Sequence, residues 1–257
     1  MSRIIILGSS SGNPSADRAN ASLILECGDS LYQFDAGEGF SSSAMRNRVD
    51  HQRIGTIIVS HTHPDHIAGL FLELQMMHLA KRTEPLAVYL PQEVIEAVGI
   101  FMIATYLFPE RLGFELSIKP VRPDPVFRDD NITVYARANS HLHSYKAAIE
   151  KAGYPNWAQS YSYVIKTKDS KIIYSGDIGS LDDYADLLDD CDLLITEGLH
   201  LDQEALFEKS SQCGLKRIVL THLSAAMYAD PGPIRALAAK YGIRDLRIAE
   251  DGMKLEL

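Results

Sequence analysis

The stretch Ile57-Ile58-Val59-Ser60-His61-Thr62-His63-Pro64-Asp65-His66-Ile67-Ala68-Gly69-Leu70 decides how this chain is read. Its opening apolar, β-branched residues have the pattern of a buried strand ending at Ser60. His61 and His63 are two positions apart, so in extended backbone their side chains point the same way. Pro64 suits the first turn of a helix, where its fixed φ is already helical and its missing N–H is no loss. Asp65 and His66 then fall at that helix start. Four side chains able to ligate a metal, within six residues at a strand-to-helix turn, are a costly way to fill space. Crowded imidazoles repel one another when protonated and need hydrogen-bond partners when buried. A transition-metal site is the economical reading of the cluster.

Outward from this stretch, short runs bounded by Gly, Pro, Asp or Ser predict strands over 3–7, 22–27, 30–34, 55–60, 86–90, 132–136, 160–166, 171–175, 193–196, 217–221 and 246–248. Helical periodicity predicts helices over 67–81, 92–107, 181–189, 202–213 and 231–241. Gly28-Asp29 and Lys168-Asp169-Ser170 read as hairpin turns. Each half opens with hairpin-joined strands and continues with strands alternating with helices. A single domain of 1–257 is expected, built from two similar halves of about 1–125 and 126–257, with a break in regular structure over 119–125. The expected fold class is α+β, with two sheets packed together and helices outside.

The composition is that of an ordinary globular protein, 46% hydrophobic and 23% charged. The formal net charge of −9 and the scattered Lys and Arg argue against an extensive nucleic-acid surface. Cys27, Cys191 and Cys213 show no pairing pattern, as expected in a reducing, cytoplasmic location. The apolar run at 4–7 is too short for a signal peptide. The longest apolar stretch, 97–108, falls short of the roughly 20 residues of a membrane span and reads as a buried or interface helix, so no membrane partner and a possible homodimer are expected.

His-x-His-x-Asp-His after a hydrophobic strand resembles the signature of the metallo-β-lactamase fold superfamily, and further motifs follow in the family's order. Phe34-Asp35-Ala36-Gly37-Glu38-Gly39-Phe40 resembles the first motif in its ribonuclease Z-like form, Ser175-Gly176-Asp177 the fourth, and Leu220-Thr221-His222-Leu223-Ser224 the last. The opening Leu7-Gly8-Ser9 with Pro14 and Arg18 is similar to ribonuclease Z as well. The resemblance implies a four-layer αββα sandwich of two mixed β-sheets packed face to face, with helices on the outer faces. It implies one metal held by His61, His63 and His141, a second by Asp65, His66 and His222, and Asp177 bridging both. For the ligand between Asp65 and Asp177 both His141 and His143 stand open, His141 being favoured because it follows the strand over 132–136. Zinc suits this donor set first, and manganese or iron also fit it. The implied nucleophile is a metal-bridging hydroxide, with Asp65 orienting or deprotonating water.

Asp35 resembles the family's aspartate that hydrogen-bonds ligand imidazoles, although an Asp-Ala-Gly turn would look the same. Glu197 and His200 lie three residues apart, and His200 is a candidate general acid or an ordinary surface histidine. The segment 144–159 follows the third motif and carries Tyr145, Lys146, Tyr154 and Trp157. With His143 these are candidate substrate contacts, and the segment reads either as a lid or as a packed surface helix. Gly8-Ser9-Ser10-Ser11-Gly12 lacks the lysine and helix of a phosphate loop and reads as a strand-end turn.

The leading functional expectation is a dinuclear-metal hydrolase of the ribonuclease Z-like branch, acting as a phosphodiesterase on a small or short phosphodiester or ester. An enzyme for carboxylic esters, lactones or thioesters is the first rival. tRNA 3′-processing is disfavoured, because the chain is acidic, lacks the basic tRNA-gripping arm, and replaces the usual His-Phe-Ser-x-Arg-Tyr with His222-Leu223-Ser224-Ala225-Ala226-Met227-Tyr228. A non-enzymatic, metal-free relative would have broken motifs, and here all seven ligand positions are filled.

Overall fold

The computed structural model describes residues 2–123 and 125–257. The chain opens with β1 (Ser2–Gly8), β2 (Ser22–Cys27), β3 (Ser30–Phe34), α1 (Phe40–Arg46), β4 (Ile54–Ile58), α2 (Pro64–Ile67), α3 (Leu70–Leu79), β5 (Leu86–Leu90), α4 (Ile95–Ala104) and β6 (Leu116–Pro120). It continues with β7 (Phe127–Arg128), β8 (Thr133–Ala138), α5 (Lys146–Ala152), β9 (Tyr161–Lys166), β10 (Lys171–Tyr174), β11 (Leu193–Glu197) and α6 (Gln203–Gln212). β12 (Arg217–Thr221), α7 (Ala225–Ala229), α8 (Gly232–Lys240), β13 (Asp245–Ile248) and β14 (Lys254–Glu256) complete it.

Two compact units result. The first runs up to Val121 and takes in Glu250–Leu257; the second is Arg122–Ala249. The last strand therefore belongs with the first unit, where β14 pairs with β1, rather than with the half that precedes it in sequence. Each unit holds a seven-stranded mixed sheet, ordered β14-β1-β2-β3-β4-β5-β6 in the first and β13-β12-β11-β10-β9-β8-β7 in the second. In the first sheet the pairings from β14 to β3 are antiparallel and those from β3 to β6 parallel. The second repeats the scheme, antiparallel from β7 to β10 and parallel from β10 to β13.

One face of the first sheet (Ile5, Leu7, Ile24, Ile57, Val59, Val88) packs on Phe40 and Ala44 of α1, Leu70, Leu74 and Met77 of α3, and Val98 and Met102 of α4. In the second unit Ile173, Leu194, Ile218 and Leu220 pack on Leu206 and Phe207 of α6 and Ile234 and Ala238 of α8.

Several elements depart from the sequence expectation for local reasons. The helix expected over 67–81 is divided between α2 and α3 at Ala68-Gly69, where Gly69 N–H donates to Ala36 O instead of continuing the helical ladder. The helix expected over 181–189 is two 3-10 turns, Leu181–Asp183 and Ala185–Leu187. Asp183 there serves the backbone of neighbouring loops and Asp186 pairs with Arg137, and Tyr184 between the turns has φ −141°. β6 extends to Lys119 and Pro120, where a break was expected; Pro120 is tolerated at the end of an edge strand. Asp124, in the expected break, lies outside the described residues. β7 and β14 are too short to show periodicity, and α1 is masked in sequence by three serines. α4 is half-buried: Val98 and Met102 face the core, whereas Ile100, Phe101 and Ile103 are exposed.

Candidate metal centre

The ligand candidates of the first unit stand where β3 and β4 end. Asp35 follows β3 with φ 57°, a left-handed conformation that Asp adopts more readily than most residues. Its carboxylate is fully buried and accepts three hydrogen bonds, from Ser60 N at 2.6 Å, Ser60 Oγ at 2.9 Å and His66 Nδ1 at 2.8 Å. The Ser60 hydroxyl has one proton and gives it to Asp35, so it must accept from His61 Nδ1, 3.1 Å away. One buried carboxylate thereby sets the tautomer of two imidazoles, His66 directly and His61 through Ser60. Both then carry the lone pair on Nε2, which lies 3.1 Å from His63 Nδ1 in His61 and 3.5 Å from Asp65 Oδ2 in His66. Ser60 was missed in the sequence, where a serine at a strand end carries no signal.

Backbone holds this geometry. Pro64 occupies the first helical position, as expected, with His63 as the preceding cap residue. Ala36 N–H donates to His66 O, and Gly69 N–H donates to Ala36 O. A Cβ on Gly37 would stand 2.3 Å from Asp65 O, and one on Gly69 would stand 2.1 Å from Gly37 O. The Asp-Ala-Gly turn and the start of α2 are thus packed backbone on backbone, which only glycine permits. The 8–12 loop is a strand-end turn, tied down by Ser9 N and Oγ donating to Asp251 Oδ1. Gly12 in that loop lies against Asp65, with ordinary contact distance to a Cβ at 3.4 Å.

In the second unit the candidates again stand at strand ends: His141 after β8, Asp177 after β10, Glu197 as the last residue of β11 with His200 just beyond it, and His222 after β12. Open α/β sheets present ligands at this end of their strands. Asp177 Oδ2 lies 3.7 Å from His141 Nε2 and 3.4 Å from His222 Nε2, so one carboxylate oxygen faces two imidazoles. His222 has φ 54°. Asn139 is buried; its Nδ2 donates to Asp177 O and Ser162 Oγ, and its Oδ1 accepts from His141 N. Asp183 Oδ2 accepts from Ser140 N, Ser140 Oγ, Gly179 N and Ser180 N, pinning the His141 loop to the Asp177 loop. Neither Asn139 nor Asp183 was picked out in the sequence, because their partners are mostly backbone atoms.

Glu197 is buried and accepts from Leu199 N at 2.7 Å, His200 N at 2.8 Å and Ile178 N at 3.4 Å. Its Oε1 is 3.2 Å from Nδ1 of the part-exposed His200, whose ring centroid lies 5.4 Å from that of His141 and 5.8 Å from that of His222. His143 is exposed, on the 3-10 turn His141–Tyr145, and joins no group of metal-ligating side chains among the described residues. The 144–159 segment begins with that turn and α5; Tyr145, Tyr154 and Trp157 on it are more than half exposed.

The donor separations match those of ligands sharing a metal ion. Two ligands on one tetrahedral ion, with bonds of about 2.0–2.1 Å, stand roughly 3.3–3.4 Å apart. His61 Nε2 to His63 Nδ1 is 3.1 Å, His66 Nε2 to Asp65 Oδ2 is 3.5 Å, and the two Asp177 separations are 3.4 and 3.7 Å. All four are close to that edge length, so each of these pairs fits a shared ion.

The family model described as Beta-lactamase superfamily domain matches residues 32–227, which spans every one of these motifs. The chain belongs to that superfamily. Among curated relatives of this β-lactamase superfamily protein, ribonuclease Z of Methanosarcina mazei is 25% identical over an alignment covering 100% of this chain and 98% of its own length. Among solved structures, the metallo-β-lactamase fold protein YhfI from Bacillus subtilis superposes with a TM-score of 0.78 at 19% identity, covering 99% of this chain and 98% of its own. The short form of human tRNase Z superposes with a TM-score of 0.75 at 22% identity, with coverage of 99% and 98%. The fold is therefore the metallo-β-lactamase fold, and the chain is a ribonuclease Z-like, metal-dependent hydrolase of this superfamily.

Proposed function

We propose that this β-lactamase superfamily protein is a phosphodiesterase that works with two divalent metal ions, zinc before manganese or iron. His61, His63 and His141 would hold one ion, Asp65, His66 and His222 the other, and Asp177 both. The observation that carries this reading is the set of donor separations at the tetrahedral edge length, with Asp177 Oδ2 facing two histidines at once. Two such ions would supply acidified water as a nucleophile at neutral pH and positive charge beside the leaving oxygen.

The chain's own groups complete the chemistry. Asp65, part-exposed beside His66, would orient the attacking water or take its proton with the carboxylate oxygen not offered to the metal. Glu197 accepts from Nδ1–H of His200, and its negative charge supports the doubly protonated ring, whose Nε2–H is the proton delivered to the leaving oxygen. His143, Tyr145, Lys146 and Trp157 are proposed substrate contacts. Asp35 keeps the histidine nitrogens pointed at the metals.

The test combines metal analysis with a panel of esters. Turnover of a bis-aryl phosphate that is abolished by chelation and by His61→Ala is the expected result. Inertness towards every phosphodiester, with any of the three metals restored, overturns it. The exposed aromatic side chains of 145–157 favour one rival, an enzyme for apolar carboxylic esters, lactones or thioesters. Turnover of acyl substrates alone would select it.

No helix among the described residues is long and apolar enough to cross a membrane. The three cysteines form no disulfide, in keeping with a cytoplasmic location. Ile100, Phe101 and Ile103 on α4, each about half or more exposed, form the apolar face proposed for a homodimer.

A further inference from the structure

We propose that the second unit carries a separate binding site for a phosphate monoester, on the face of β8, β9 and β10 lined by Arg128, Tyr135, Arg137, Lys166 and Lys171. A cavity of 340 Å3 opens there, lined by Tyr135, Ala136, Arg137, Val164, Lys166, Lys171 and Leu187. None of these residues belongs to the proposed metal centre. The volume lies at the lower end of small-molecule sites.

Strand register explains how the cations converge. Arg128 pairs with Thr133, Thr133 with Lys166, and Lys166 with Lys171. Directly opposed residues share a sheet face, so one cross-strand row reads Arg, Thr, Lys, Lys. Two residues along, the next row brings Tyr135 beside Val164, and Arg137 lies on the same face of β8.

Like charges directly opposite one another destabilise a sheet, and Lys166 faces Lys171 with no acid between them in the row. Edge protection accounts for cations on β7, which is an edge strand, but not for those on β9 and β10, which are interior strands. Of the nearby acids, Asp186 is bound to Arg137 at 2.9 Å, and Asp192 Oδ2 accepts from the backbone N–H of Lys171 at 2.8 Å. Lys171 Nζ donates to two neutral carbonyls, Leu187 O at 2.8 Å and Asp189 O at 2.6 Å. Lys166 Nζ stands 5.6 Å from the Tyr135 ring centroid, and Arg128 donates to Tyr135 Oη at 3.3 Å.

This concentration of positive charge sits in a chain of net charge −9. A phosphate dianion relieves the repulsion along the row, and Tyr135, Val164 and Leu187 offer an apolar surface to the organic part of a monoester.

The experiment measures binding of adenosine monophosphate, inorganic phosphate and adenosine to the metal-loaded protein by calorimetry, in parallel with the Lys166→Ala/Lys171→Ala and His61→Ala variants. The expected result is a binding step for the monophosphate that survives His61→Ala and weakens at least tenfold in the lysine double variant, with hydrolase activity unchanged there. Adenosine should not bind. Inorganic phosphate binding as tightly as the monophosphate would identify free phosphate as the source of the same anion chemistry.

Thermal unfolding gives a second readout. In phosphate-free buffer Lys166→Ala should melt higher than the parent, because the Lys166–Lys171 repulsion is gone, and phosphate should no longer raise its melting temperature. No binding to the parent protein, binding unchanged in the lysine variant, or a lower melting temperature for Lys166→Ala in phosphate-free buffer would overturn the proposal. A step lost only in His61→Ala would assign it to the metal centre and equally overturn it.

Discussion

Asp35 Oδ2 lies 2.8 Å from His66 Nδ1, with both side chains buried. The same carboxylate takes both hydrogens offered by Ser60, and through that hydroxyl it orients His61. The turn that places Asp35 lies 25 residues before Ser60 and 31 before His66 in the chain. Replacing Asp35 by Asn keeps the volume but substitutes a neutral amide for the charged acceptor. Partners of this kind contribute on the order of 10–100-fold in metal affinity or activity. Competition against a chelator should show a loss in that range for Asp35→Asn while far-ultraviolet circular dichroism is retained.

Gly69 tests the backbone contact beneath the same site. An alanine Cβ there would stand 2.1 Å from Gly37 O and 2.9 Å from Ala36 O. Neither atom is the end of a flexible side chain, so the turn or α2 must move. Gly69→Ala should lose about 2–3 kcal/mol or more in chemical denaturation, as steric conflicts in packed interiors do. It should also lose metal, because the turn carries Asp35 and the helix carries His66.

Glu73 on α3 is fully buried, and Gln33 Nε2 donates to its Oε2 at 2.9 Å. Burial pushes its carboxyl from the usual 4.5 up to about 8. Between those values the folded protein holds a proton that the unfolded chain has released. This contribution to stability is complete below about pH 4.5 and falls as pH rises through 8, by at most about 1.4 kcal/mol per pH unit. Glu73→Gln removes the titration and keeps an acceptor for Gln33. The stability difference between Glu73→Gln and the parent should therefore widen in favour of the variant from pH 5 to pH 8. A pH-independent difference in urea unfolding would contradict this.

His200 and Glu197 are separable from metal binding in their effects. His200→Ala should leave metal content unchanged and lower kcat on a phosphodiester with an alkyl leaving group by about 10²–10⁴-fold, the usual contribution of a general acid. The loss should be much smaller for a nitrophenyl leaving group, which departs without a proton. Glu197→Gln should follow the same leaving-group pattern. Equal losses on both substrates would remove His200 from the proton-delivery role.

The exposed face of α4 predicts self-association. Ile103→Glu places a charge beside Ile100 and Phe101 on that face. Light scattering after gel filtration should report a monomer for the variant and a dimer for the parent, at equal hydrolase activity per chain.

The candidate metal cluster was legible because its signal is local. His61, His63, Asp65 and His66 fall within six residues, and Pro64 marks the helix start that gathers them. Asp177 and His222 were legible because each follows an apolar strand, and a side chain at a strand's end needs no long-range information to be placed there. Strand alternation and hairpin turns likewise gave the antiparallel-then-parallel character of each half. Periodicity failed over 181–189, where Asp183 serves four donors of neighbouring loops instead of a helix.

The positions of most strands and the candidate metal-ligating groups were readable in the sequence, because they depend on backbone preference and on neighbours a few positions away. Tertiary structure decided that Ser60 relays Asp35 to His61, that Asn139 and Asp183 fasten the His141 and Asp177 loops, that β14 closes the first sheet, and that four cations share one face of the second. Those outcomes rest on hydrogen bonds and registers between segments far apart in the chain. Such pairings are fixed only when burial forces every polar group to find a partner, and no local pattern encodes which partner that will be.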